Sequence, residues 1–368
     1  MKLFNHKTDL GIGHSFLCSI LMFCTISCTR EADVFPESQP HVKMPICWDV
    51  NQKTDSQTRA LINNSLLQTA CTPKADNSHE SIGLWGEYTY STDNIKMVEF
   101  WATPLTYAPI SEDTNPHNNW NYPGGVRFWE SGAIYNFRAC YPQALMTSLM
   151  TEMSTSIFQG AINTFVVQED ILVAATQVNT RTTDLMMPVS LSLQHIFSAV
   201  KFKVKAVDGY VPSDDEGITS CWLQNKTNDT DLFSSSGYLV HSGNAAPQIS
   251  WYTYESSIAP MYVWNHTGVS FASENTLYTP NGGLTGNEYT QNDGWLLIVP
   301  QQVKENTLTF CYKMKNSPDH SYSVNIPAIT YEPGKQYVYV LEIRGSEVNV
   351  TLTIADWNYK ESSYDIVM

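Results

Sequence analysis

Between Ala199 and Val207 the chain alternates strictly: Val200, Phe202 and Val204 interleave with Lys201, Lys203 and Lys205. Side chains that switch sides at every residue belong to a strand with one dry face and one wet face. A helix would scatter the same lysines around its circumference. The pattern returns at Ala133–Tyr141, where Ile134, Asn136 and Arg138 oppose Tyr135, Phe137 and Ala139. Other short strand-like runs are Val42–Val50, Ile82–Tyr90, Lys96–Trp101, Val126–Trp129, Thr164–Val167, Ile171–Ala175 and Val189–Leu193. The second half continues in the same style near 218–224, 237–240, 260–264, 295–299, 307–314, 321–326, 336–343 and 347–354. Residues 143–160 also fit a short helix. Tyr, Trp, Thr, Ser and Asn are abundant, and long runs of strong helix formers are absent. Many short strands separated by Gly, Asn and Pro loops predict an all-β chain built from β-sandwiches. Its length suggests two domains. The acidic, Gly- and Pro-bearing stretch Asp208–Glu216 places their boundary there, giving 42–207 and 208–368.

The N-terminus reads as an export signal. Lys2, His6 and Lys7 give a basic start, and Phe16–Ile26 is an apolar run of signal-peptide length, too short to span a bilayer. The run closes on Thr25-Ile26-Ser27-Cys28. A small residue before a cysteine at this point resembles a bacterial lipobox, where the chain is cut before the cysteine and the cysteine is acylated. Thr25, where that pattern has Leu, and Asp9, close to the basic start, depart from it. The other reading is an ordinary cleaved signal with a chance cysteine. Residues 1–27 are thus signal, Cys28 is the candidate lipidation site, and 28–41, polar with two prolines, is a tether.

Residues 28–368 carry 19 basic and 35 acidic side chains, a net charge of −16 that disfavours nucleic acid as a partner. Cys47, Cys71, Cys140, Cys221 and Cys311 lie far apart with no CxxC pair, which fits buried free thiols better than zinc, while one disulfide stays open. No nucleophile elbow, HExxH, P-loop or dinucleotide fingerprint is present, so no catalytic residue, cofactor or metal site is expected. His195, near a strand turn, reads as a packed or capping histidine. The acidic clusters Asp214-Asp215-Glu216 and Asn228–Asp231 read as plain loops, lacking the spacing of a calcium loop. Of the tryptophans, Trp120 and Trp251 sit in polar surroundings and are expected to be the exposed ones.

Several segments, in order across nearly the whole mature chain, carry a resemblance: Gly83-Leu-Trp-Gly-Glu-Tyr88; Val126-Arg-Phe-Trp129 followed by Tyr135-Asn-Phe-Arg-Ala-Cys-Tyr-Pro142; Leu191-Ser-Leu-Gln-His-Ile-Phe-Ser-Ala-Val-Lys-Phe202; Trp295–Gln301; Tyr331-Glu-Pro-Gly-Lys-Gln-Tyr-Val-Tyr339; and Ile354-Ala-Asp-Trp357. Together they resemble the fimbrillin-like lipoproteins of Bacteroides-type bacteria, subunits of type V pili. Cys140 stands where an aromatic is common in that family.

The resemblance implies two tandem transthyretin-like β-sandwich domains and export to the outer-membrane surface through an N-terminal lipid. It also implies other pilus subunits as partners and assembly by strand exchange. In that family an Arg-specific protease cuts after the first strand, and a neighbour's terminal strand fills the groove left behind. Arg59, in the polar linker after Val42–Val50, is the candidate processing site, with Ala60 as the new N-terminus; a plain exposed loop arginine is the alternative. Tyr364, Ile366 and Met368 alternate with Asp365 and Val367 and form a candidate donor strand, with a frayed tail or a strand of its own domain as the alternative. The function expected is a structural or adhesive pilus subunit. The competing reading is a non-polymerising surface lipoprotein that binds glycan or host protein.

Overall fold

The computed structural model describes residues 44–52, 64–76, 78–90, 95–108, 119–164, 167–211, 217–226, 233–253, 261–265, 275–277, 295–305, 307–344, 347–356 and 366–367. Its first half runs β1 (Trp48–Gln52), α1 (Asn64–Cys71), β2 (Ile82–Tyr90), β3 (Lys96–Tyr107), β4 (Trp120–Asn121), β5 (Ala133–Tyr141), α2 (Gln143–Leu149), β6 (Met150–Met153), β7 (Ile157–Asn163), β8 (Leu172–Asn179), β9 (Val189–His195) and β10 (Ser198–Ala206). Among the described residues the second half is all strand. It begins with β11 (Ile218–Asn225), β12 (Ser236–Ser242), β13 (Gln248–Thr253), β14 (Met261–Asn265), β15 (Asn275–Leu277) and β16 (Leu296–Ile298). It continues with β17 (Gln301–Val303), β18 (Leu308–Met314), β19 (Ser317–Asn325), β20 (Ile329–Tyr331), β21 (Lys335–Arg344), β22 (Glu347–Asp356) and β23 (Ile366–Val367). All of these lie in Pro45–Met368, which packs as one unit.

The all-β expectation holds, and several runs match closely: β2 and β5 have the expected limits. Val126–Trp129 makes only an isolated bridge, Pro45 with Phe128, and Thr164–Val167 lies beyond the end of β7. Residues 143–160, which also fitted a short helix, hold α2, which starts directly after Pro142, with β6 and β7 following it.

A seven-stranded sheet, β1-β9-β8-β5-β2-β3-β4, faces a four-stranded one, β13-β12-β7-β6, across a core that includes Trp85, Cys140, Phe158 and Leu239. A second sheet, β15-β10-β21-β22-β23, faces β14-β11-β18-β19 across Phe202, Phe310, Tyr312 and Tyr339. Strand pairing crosses the expected 207/208 boundary in both directions. β10 lies parallel to β21, Val200 opposite Tyr337, and β12 pairs with β7, Leu239 opposite Gly160. β10 is the seam: Ala199 belongs to the first core, and Val200, Phe202 and Val204 to the second. Hydrophobic alternation determines which face of a strand is buried, but not which sheet the strand joins.

The central strand of each large sheet starts from the same device. Trp129-Glu130-Ser131-Gly132-Ala133-Ile134-Tyr135-Asn136-Phe137 and Tyr331-Glu332-Pro333-Gly334-Lys335-Gln336-Tyr337-Val338-Tyr339 share one pattern: aromatic, Glu, any, Gly, any, any, Tyr, any, aromatic. In each, the Glu backbone N–H donates to the hydroxyl of the Tyr five residues on, at 2.9 Å for Glu130–Tyr135 and 2.8 Å for Glu332–Tyr337. In each, the glycine takes the left-handed backbone, φ 79° at Gly132 and 71° at Gly334, which other residues adopt only under strain. In each, the first aromatic meets the Tyr ring edge-on, at 4.8 Å (Trp129–Tyr135) and 4.7 Å (Tyr331–Tyr337).

The faces expected to be wet are largely covered. Arg138, on the supposedly wet side of β5, is 0% exposed, because the four-stranded sheet lies over it. Its guanidinium donates to the carbonyls of Ser156 and Gly243 at 2.8 Å, of His241 at 3.1 Å and of Thr155 at 3.4 Å, and to His241 Nδ1 at 2.8 Å. One cation thereby stitches β5 to the β12 end and the β6–β7 turn. Nδ1 accepts, so the ring proton of His241 sits on Nε2. Lys201, on the expected wet side of β10, is likewise buried, with its ammonium 5.2 Å from the Trp295 ring.

Three outcomes are expected from denaturant titrations. Tyr135→Phe and Tyr337→Phe should each cost about 1 kcal/mol, because each removes the hydroxyl that accepts the part-buried Glu N–H. The double variant should be additive within about 0.5 kcal/mol, since the two corners lie in different sheets. Arg138→Met should cost about 3–5 kcal/mol, because it strips several buried carbonyls of their donor, at about 1–3 kcal/mol for a group left unsatisfied. Burial, then the Arg138 charge, lowers the pKa of His241 from 6.5 to about 3. The unfolded chain therefore takes up a proton that the folded chain refuses. The stability this histidine contributes is complete above pH 6.5 and drains away as the pH falls toward 3. His241→Asn, which keeps an acceptor, should flatten that acid slope.

Candidate assembly site at the edge strand

β1 is the outermost strand of the seven-stranded sheet, and it lies parallel to β9, with Trp48 opposite Val189 and Gln52 opposite Leu193. Its approach is held by two backbone bonds, Val189 N–H to the Cys47 carbonyl (2.7 Å) and Ile46 N–H to the Arg127 carbonyl (2.8 Å). Ile46, Trp48 and Val50 are all buried, at a spacing of two. Burial of each such side chain is worth roughly 1.5–3 kcal/mol, so this short strand is held mainly by three anchors.

The Trp48 ring stands edge-on to Phe137 at 4.9 Å and to Phe100 at 5.5 Å. Gly86 on β2 makes room for that pocket: a Cβ there would fall 2.7 Å from Phe137 and 2.9 Å from Phe100. The Trp48 indole N–H has no acceptor among the described residues. On the rim, the Arg127 guanidinium lies 4.6 Å over the Phe100 ring and 3.5 Å from the Glu99 carboxylate. Burial raises the Glu99 pKa above the ordinary carboxylate value, with Arg127 opposing the shift.

β1 ends at Gln52 and α1 begins at Asn64. Arg59 and Ala60 fall between them, outside the described residues, as do Cys28, Tyr364 and Met368 and the acidic clusters 214–216 and 228–231. Ile366 is described: β23 pairs with β22 of the chain's own sheet, Leu352 opposite Ile366. This is the alternative placement of that residue, a strand of its own sheet. Cys47, Cys71, Cys140, Cys221 and Cys311 form no disulfide with one another, and all but Cys47 are buried. His195 is packed, its Nδ1 3.0 Å from Asp170.

The two tryptophans expected to be exposed are not. Trp120 is 4% exposed and packs edge-on against Tyr107, and its polar neighbours mark a strand edge rather than an open loop. Trp251 alternates with Ile249 on β13 and donates its indole N–H to the Ile196 carbonyl at 2.9 Å. Among the described residues the exposed tryptophan is Trp101, at 62%. Among the described residues no group of His, Cys, Asp and Glu is arranged to hold a metal, and no helix is long and apolar enough to cross a membrane.

Facing sheets closed at one edge by an N-terminal parallel strand define an all-β sandwich protein. The fimbrillin-like family model matches residues 58–357, and the chain belongs to that family. The solved structure of a fimbrial protein from Bacteroides vulgatus shares the fold with a TM-score of 0.52, at 13% identity over 85% of this chain and 99% of that one. The tip fimbrial protein Mfa3 from Porphyromonas gingivalis, with a C-terminal truncation, matches at 14% identity over 78% of this chain and 97% of that one, with a TM-score of 0.37. No curated protein matches.

Trp48→Ala is expected to cost about 3–5 kcal/mol and to release β1 locally. Hydrogen exchange should rise at Trp48–Gln52 and at their β9 partners Val189–Leu193, while β21 and β22 stay protected.

Proposed function

We propose that the chain is a structural or adhesive subunit of a surface pilus, delivered as a lipoprotein acylated on Cys28 and assembled by strand exchange. Family membership supports the pilus reading, as do relatives described as fimbrial and tip fimbrial proteins. The observation that carries the exchange step is the position of β1: an edge strand, anchored by three side chains, joined to the rest through the segment that holds Arg59. Cutting between Arg59 and Ala60 would leave β1 with no covalent tie to the body. Its loss would bare the β9 edge and the Phe100–Phe137 pocket, an open row of backbone donors and acceptors beside apolar lining. Tyr364, Ile366 and Met368 recur at a spacing of two, the spacing of Ile46, Trp48 and Val50, so a neighbour's tail offers anchors in the same rhythm. The twin corners support the reading of two tandem sandwiches, with β10 shared at the seam. On this reading the chain works at the outer-membrane surface or in the pilus, with other subunits as partners.

Treatment of the purified mature chain with an Arg-specific protease should expose Ala60 as the new N-terminus and give a ladder of oligomers, and Arg59→Gln should abolish both. A cut chain that stays monomeric, and is retained on a glycan column, would favour the non-polymerising surface lipoprotein instead.

A further inference from the structure

Five of the twelve large apolar side chains exposed among the described residues fall in two short stretches: Met97, Val98 and Trp101 on β3, and Val126 and Phe128 just before β5. The Glu99–Arg127 ion pair, at 3.5 Å, pins one stretch to the other. Grouped apolar exposure of this kind marks a contact surface, whereas scattered single residues do not. The backbone is also built to present it. Ala102 holds a left-handed φ of 47°, which a residue with a Cβ adopts at a cost of about 1–3 kcal/mol. Gln143 props that conformation by donating to the Ala102 carbonyl at 2.7 Å, while its own carbonyl accepts from the Ser81 hydroxyl at 2.8 Å. The strained residue directly follows the exposed Trp101.

The patch adjoins the approach of β1. Phe128 bridges Pro45, the Arg127 carbonyl holds the Ile46 N–H, and Arg127 covers the Phe100 ring that receives Trp48. A partner that lays a strand in the place of β1 must bring its body up to these residues. We infer that the Met97–Trp101 and Val126–Phe128 patch is a body-to-body contact for a second fimbrillin-like subunit, in homopolymers a second copy of this chain. This inference rests on the strand-exchange reading. It adds to the exchanged strand a rigid seat that sets how the next subunit is oriented.

The test compares the wild-type mature chain with Val98→Ser/Trp101→Ser and with a control, Met186→Ser/Met187→Ser, which removes apolar side chains exposed elsewhere. Each protein is cut with the Arg-specific protease and read in two ways: uptake of a fluorescent peptide of residues 358–368 by anisotropy, and the yield of oligomer ladders. The expected result is peptide uptake within about twofold of wild type in both variants, with ladders about tenfold or more weaker only in the patch variant, as loss of interface anchors produces. Full ladders from the patch variant overturn the inference. Flotation of the wild type, but not the patch variant, with phosphatidylethanolamine–phosphatidylglycerol vesicles, together with full ladders, would assign the patch to the membrane and likewise overturn it. If the wild type takes up no peptide, strand exchange itself has failed. Sedimentation equilibrium then decides the patch alone: self-association of the wild type that the patch variant loses upholds the contact, and a wild type that stays monomeric overturns it.

Discussion

The hydrogen bond from the Glu130 N–H to the Tyr135 hydroxyl, and its twin from Glu332 to Tyr337, turns the chain into the central strand of each large sheet. A glutamate, a left-handed glycine and a tyrosine at fixed spacing close a tight corner, and the ring of the preceding aromatic locks it from the side. The strands that pair on either side of β5 and β21 take their register from what the corner sets. The nonapeptide repeats with matching distances and angles, so one corner is used twice. The copies differ at their edges. In the first sheet β5 sits between antiparallel β2 and β8, and in the second β21 takes a parallel neighbour, β10, from the first half of the chain.

That handover explains why the chain packs as one unit while holding two cores. β10 serves one core with Ala199 and the other with Phe202, so neither core closes without it. Arg138 makes the other long-range tie. A buried guanidinium surrounded by carbonyls is costly to misplace, so it favours a single register between the facing sheets over slipped ones. The nearby His241 is kept neutral by its burial first and by the same charge second. Rigidity of this kind suits the proposed assembly, in which the body would stay intact while one edge strand is exchanged.

The edge itself is made differently. β1 pairs on one side only, with β9, and is anchored by Ile46, Trp48 and Val50, the arrangement that the proposed exchange would need. The rim around it, with Arg127 stacked on Phe100 and paired to Glu99, stays behind and shapes what could replace it. An exposed, strained presentation of Trp101 beside that rim has no role in the fold's own core, which is why it reads as a surface for a partner.

How much of this was legible in the residues differs from one feature to the next. Period-2 alternation identified β5 and β10, and strand-like apolar runs identified β2 and β9, because strand geometry places successive side chains on opposite faces whatever the rest of the chain does. It labelled Arg138 and Lys201 as solvent-facing, because alternation records polarity and cannot register a second sheet laid over the polar row. It placed a boundary at 207/208, because composition marks loops but carries no information about which sheet a strand enters. It misjudged Trp120 and Trp251 because polar neighbours also flank edge strands. The candidate site was half legible: an N-terminal apolar strand followed by Arg59 could be read directly, whereas the pocket of Phe100, Phe137 and Gly86 comes from three separate strands. By itself, the sequence determined most of the strands and their apolar faces, since these depend on neighbours a few residues apart. Only the tertiary structure decided the parallel seat of β1 beside β9, the burial of Arg138 and the exposure of Trp101, since each depends on residues brought together from distant parts of the chain.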